Sequence, residues 1–133
     1  MYKFTEIFPA KKVRGCYLLY RGNRVVYVGQ SINIMSRVGT HLANPLKRFD
    51  GFCYTEVDGD LNEAEAELIA IYNPTDNTDM PANKKYISAL QIKRRYNIGG
   101  WDWRRIKNSL QAVWREYYTV EDVENFLKAR GDI

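Results

Sequence analysis

Residues 13–29 read VRGCYLLYRGNRVVYVG, and this stretch decides the fold. Val13 to Tyr20 and Arg24 to Val28 have the β-branched and aromatic content of strands, and Arg21-Gly22-Asn23 has the chemistry of a tight hairpin turn. Side chains alternate between the two faces of a strand. The spacing therefore predicts that Tyr17 and Tyr27 lie side by side across the hairpin, two phenols aimed at one spot.

The chain that follows adds groups able to act on such a spot. A helix is predicted from an N-cap at Ser31 to about Leu42, with Ile34, Val38 and Leu42 as its buried stripe. Arg37 and His41 share a second stripe, four residues apart. Asn44-Pro45 ends this helix, and Phe52 to Val57 reads as a third strand closed by Asp58-Gly59-Asp60. Leu61 to Tyr72 is a helix stopped by Asn73-Pro74, with Glu65 and Ile69 on one face beside the core. Asn77 follows in a Pro-x-x-Asn sequence.

In this order and spacing the set resembles the GIY-YIG nuclease family. Its two name-giving tripeptides occur as Gly15-Cys16-Tyr17 and Tyr27-Val28-Gly29, and its arginine and histidine as Arg37 and His41. The family's Glu-x-x-x-Ile occurs as Glu65 to Ile69, and Pro74 to Asn77 completes the pattern. The likeness covers roughly residues 13–77, a little over half the chain. Cys16 replaces an apolar middle residue, and Gln30-Ser31 stands where some relatives carry lysine.

The resemblance implies an α+β fold, a small three-stranded antiparallel sheet flanked by helices, and a DNA endonuclease dependent on Mg²⁺ or Mn²⁺. Glu65 would be the metal ligand, since one carboxylate leaves positions open for water and phosphate. Arg37 would hold phosphate oxygens with its planar fork. Tyr17 is assigned the base role and Tyr27 a positioning role; His41 would assist proton transfer or contact phosphate, and Asn77 would orient backbone or substrate. Each residue alone has a plainer reading: cross-strand packing for the tyrosines, a solvated acidic run for Glu63, Glu65 and Glu67, and a turn for Asn77. A catalytically inactive DNA-binding or protein-interaction module of the same fold is the alternative.

The 133 residues fit a core at 1–80 and an appendage at 81–133, and the 45% hydrophobic content suits one apolar core. The first part carries nine Lys/Arg against ten Asp/Glu, the second eleven against six. Lys84, Lys85, Lys93, Arg94, Arg95, Arg104, Arg105, Lys107 and Arg115 face only Asp102 before Glu116. That excess predicts contact with a polyanion, here double-stranded DNA, through a basic helical extension.

Within the extension, Tyr86 to Tyr96 reads as a basic helix, broken at Asn97-Ile98-Gly99-Gly100. Trp103, Ile106, Leu110, Val113, Trp114 and Tyr117 predict one amphipathic helix. Thr119 with Asp122 opens a last helix that Gly131 closes. The aromatic stripe reads as core, with base stacking by Trp101 or Trp103 as the other reading, and these helices also offer a surface for a homodimer or a protein partner. No apolar run approaches the roughly 20 residues of a membrane span, and the start has no signal-peptide profile, so a cytoplasmic protein is expected, nucleoid-associated if cellular. Cys16 and Cys53 lack metal spacing and read as two buried thiols.

Overall fold

Gly22 and Asn23 form the two-residue turn between β1 (Gly15–Arg21) and β2 (Arg24–Ser31), with Gly22 at a φ of +63° that its missing Cβ permits. The computed structural model describes residues 1–133. From the turn outward Arg21 pairs with Arg24 and Tyr20 with Val25, but Leu19 pairs with Tyr27, so Val26 is an extra residue, a β-bulge. Strict alternation from the turn would put Tyr27 on the face of Val25. The bulge instead turns it to the face of Leu19 and Tyr17.

β1 is the central strand, flanked by β2 and by β3 (Gly51–Glu56), all antiparallel, in the order β2-β1-β3. One face buries Tyr17, Leu19 and Val26 with Val13 against Ile34 and Val38 of α1 (Ile34–Ala43). The opposite face buries Leu18, Val25 and Val28 against Ala66 and Ile69 of α2 (Leu61–Tyr72). The mixed α+β architecture is thus as expected: a three-stranded antiparallel sheet with helices on both sides.

Local details differ from the sequence expectation at α1. Asn33, not Ser31, is the N-cap, its side chain accepting from the Ser36 amide. Ser31 Oγ accepts from the Asn33 amide at 2.9 Å and so sets the cap in place. Leu42 is exposed, so the buried stripe of α1 is Ile34 and Val38 alone. α2 matches its expected bounds, capped by Asp60 and ended by Asn73 at a φ of +50°.

The extension is not wholly helical. Residues 86–88 form β4 (Tyr86–Ser88), and only then does α3 (Ala89–Arg95) begin, opened by a Ser88–Gln91 capping box. The expected helix from Trp103 to Tyr117 is instead α4 (Gly100–Lys107), a turn, and β5 (Tyr117–Thr119), which pairs antiparallel with β4. The apolar spacing persists, but it serves two cores. Trp103 and Ile106 pack with Ile87, Ile92 and Tyr118, whereas Trp114 packs against Leu18, Val25 and Val28 of the sheet. The Trp114 indole N–H donates to the Pro74 carbonyl at 3.0 Å, anchoring the extension on the first core. α5 (Val120–Arg130) has the expected Thr119 cap and ends at Gly131 with a φ of +81°.

Cys16 is buried and Cys53 exposed, both as free thiols; Cys53 lies on an edge strand whose outer face is open. No helix is long and apolar enough to cross a membrane.

Candidate active site

The bulge and the α1 helix bring three aromatic rings together. The hydroxyl of Tyr17, in β1, lies 2.7 Å from His41 Nε2, in the last turn of α1. The Tyr17 and Tyr27 ring centroids are 6.3 Å apart, a diagonal pair rather than the directly opposed one expected, since Tyr17 faces Gly29 across the ladder. His41 meets Tyr27 edge-on at 5.2 Å.

Gly29 is what lets Tyr17 lie flat across β2. A Cβ built there would collide with the Tyr17 ring and hydroxyl. The glycine of Tyr27-Val28-Gly29 is therefore needed for space, not for backbone conformation. Gly15 plays a comparable part, since a Cβ there would strike the Thr55 carbonyl of β3.

Arg37, one turn before His41, is exposed, and its charge acts on Tyr17, Tyr27 and His41. Glu65, on α2, is half-buried, and its charge reaches both phenols. Glu65 has no ion-pair partner. Burial pushes its carboxyl above the usual value near 4.5, with the Gln30 amide acting in the opposite direction. Its neighbours are committed elsewhere: Glu63 accepts from the Lys84 amide at 2.8 Å, and Glu67 binds the Lys85 ammonium at 2.9 Å and the Tyr86 hydroxyl at 3.2 Å. Of the three carboxylates, Glu65 is the one whose charge is felt by both Tyr17 and Tyr27.

The electrostatics follow from burial. Burial raises the Tyr17 phenol well above its usual value, the proximity of Tyr27 adds to this, and Arg37 opposes it. Tyr27 is raised in the same way, by burial and then by Glu65. His41 is held below 6.5 by burial, by Lys47 and by Arg37. The neutral imidazole is therefore favoured at pH 7; in the tautomer with a free Nε2 lone pair the Tyr17 hydroxyl donates to it, and in the other the Nε2–H donates to the Tyr17 oxygen.

Lys47 was not among the expected site residues. It follows α1, and its ammonium lies 3.6 Å from the Tyr27 ring centroid, a cation–π contact. Gln30-Ser31 stands where some members of the resembled family carry lysine. That substitution was the only sequence signal for a compensating cation, and it did not say which.

Asn77 has a positioning role rather than a reacting one. It is 7% exposed, and its side chain accepts from the Val28 N–H at 2.8 Å and donates to the Val28 carbonyl at 2.9 Å. With the Asp76 amide on the Val26 carbonyl at 2.8 Å, this segment seals the outer edge of β2 beside Tyr27. Asn77→Ala leaves both Val28 groups unpaired and should cost about 2–4 kcal/mol in chemical denaturation. A loss under about 0.5 kcal/mol would mean that water replaces the amide.

The basic residues of the extension divide. Lys85 is paired with Glu67, and the Arg115 guanidinium donates to the Thr75 carbonyl at 2.9 Å while lying 5.0 Å from the Trp114 ring. Lys84, Arg94, Arg95, Arg104, Arg105 and Lys107 are exposed, Lys93 is half-buried, and none of these seven forms an ion pair. Trp103 is buried, whereas Trp101 is 77% exposed.

No side-chain cluster holds three His, Cys, Asp or Glu ligands. A divalent cation here would rest on Glu65 and on oxygens from water and phosphate, which suits a hard ion that keeps most of its hydration. A desolvated carboxylate without a counter-ion fits that role. Among known proteins, no family model matches the chain and no curated protein does.

Proposed function

We propose that the chain is a metal-dependent DNA endonuclease of the GIY-YIG type. The observation that carries this reading is the meeting of Tyr17, Tyr27 and His41 from β1, β2 and α1, with the charges of Arg37 and of Glu65, which has no ion-pair partner, acting on both phenols. They are also the residues that carry the family resemblance. Structural packing alone does not require a half-buried carboxylate without an ion-pair partner.

Hydrolysis of a phosphodiester needs a deprotonated water, neutralisation at phosphorus and a stabilised leaving oxygen. A resting Tyr17 phenolate is disfavoured by burial, so the proton moves by relay. Water gives its proton to the Tyr17 oxygen as Tyr17 gives its own to His41 Nε2. The water oxygen bonds to phosphorus, the P–O bond to the sugar breaks, and the released alkoxide takes a proton from solvent. Arg37 and Lys47 offset the charge gathering on the phosphate oxygens, and Tyr27 positions the water. A divalent cation held by Glu65 would supply Lewis-acid stabilisation of the phosphate and the leaving oxygen.

Incubation with supercoiled plasmid and Mg²⁺ tests the activity, with nicked or linear product expected and none in EDTA. Intact plasmid across Mg²⁺ and Mn²⁺ would leave a DNA-binding module of this fold. The acid limb of the rate tests the relay. Protonating His41 fills the lone pair that takes the Tyr17 proton, and protonating Glu65 removes the metal ligand. His41 is held below 6.5 and Glu65 above 4.5, so single-turnover cleavage should fall on acidification from neutral pH. A rate that does not fall on acidification before the fold itself is lost contradicts the relay.

A further inference from the structure

We propose that α3 and α4 form a helix-turn-helix, and that α4 is the helix that enters the major groove of duplex DNA and reads bases. This rests on DNA being the partner but not on cleavage, because none of its residues belongs to the candidate active site.

Four observations carry it. First, α3 and α4 are joined by four residues, Tyr96 to Gly99, with Asn97 at a φ of +52° turning the chain, a connection of the length such units use. Second, Ile92 of α3 and Trp103 and Ile106 of α4 share one core, and Val123 and Leu127 of α5 back it, so α4 is held on a rigid support. Third, the outward side of α4 has a defined composition. At about 100° per residue, Trp101, Arg104 and Arg105 fall within about 50° of the direction opposite Trp103 and Ile106. Fourth, these three make no contact that structure needs. Arg104 and Arg105 have no carboxylate partner, and Trp101 is 77% exposed with the Arg104 guanidinium 5.5 Å from its ring.

Charge complementarity selects the occupant. The exposed faces of α3 and α4 present Arg94, Arg95, Arg104, Arg105 and Lys107, with Asp102 as the one acid of the two helices. Arginine forks match the O6 and N7 acceptors of guanine, and an exposed indole edge suits a thymine methyl. Arg94 and Arg95, at the end of α3, lie where the first helix of such a unit meets the phosphate backbone. A polyanion bound only through charge would not call for a tryptophan between two arginines.

The experiment uses the full chain in EDTA, so that no cleavage intervenes, and selects bound duplexes from a randomised library. A short motif containing guanine should be enriched. Arg105→Lys keeps the charge and loses the fork, so it should lower the ratio of motif to scrambled affinity roughly 10- to 100-fold while leaving the salt slope unchanged. Arg94→Ala should weaken both duplexes alike and flatten the slope by about 0.9. Duplex binding with no enriched motif overturns the proposal, as does a ratio unmoved by both Arg104→Lys and Arg105→Lys, or a chain that binds no duplex. Plasmid cleavage with no motif leaves the nuclease reading standing and sinks this one; a motif without cleavage does the reverse.

Discussion

Glu65→Gln should remove DNA cleavage almost entirely, by a factor of 10³ or more, while the protein stays folded. Glutamine keeps the size and hydrogen-bonding reach of the side chain and removes the charge that would hold a divalent cation. The same change removes a half-buried carboxylate with no ion-pair partner, so thermal stability should hold or rise. Glu67→Gln supplies the contrast. It loosens contacts to Lys85 and Tyr86 and should lower stability slightly while cleavage persists. Calorimetry and a cleavage assay on both variants decide the matter. Equal loss of cleavage would put the functional carboxylate in the wrong register. A strong loss of stability in Glu65→Gln would make Glu65 a structural residue.

Gly29→Ala should cost both fold and activity. The added methyl would occupy the space of the Tyr17 ring and hydroxyl, and Tyr17 sits in a packed core with Leu19, Ile34 and Val38. Overpacking of this kind costs on the order of 3 kcal/mol, and a displaced Tyr17 loses its contact with His41. Tyr17→Phe isolates the second effect. It keeps the ring and loses the hydroxyl, so stability should change by only about 1 kcal/mol while the rate falls roughly 10²- to 10⁴-fold. Urea unfolding and single-turnover cleavage on the pair separate the two effects. Full activity in Tyr17→Phe would end the relay mechanism, and a stable, active Gly29→Ala would show that the tyrosine has another place to go.

The hairpin, α2 and the Thr119-to-Gly131 helix were legible in the chain itself because each is governed by neighbours in sequence: a turn glycine, a capping side chain, an apolar repeat over three turns. The candidate groups Tyr17, Tyr27, Arg37, His41 and Glu65 were legible only through the family resemblance that their order and spacing carry. Beyond that, local information ends. The bulge at Val26 depends on how β1 and β2 pair, and it alone gives Tyr27 the face of Tyr17. Glu63, Glu65 and Glu67 are alike as residues, and only the position of β4 shows that two of them are engaged. Lys47 reaches Tyr27 by a path from the end of α1 that no spacing encodes. The periodicity from Trp103 to Tyr117 tells which residues are apolar, not which core receives them. Two cores compete for that stretch, and the hydrogen bond from Trp114 to Pro74, together with the pairing of β5 with β4, ends the helix at Lys107.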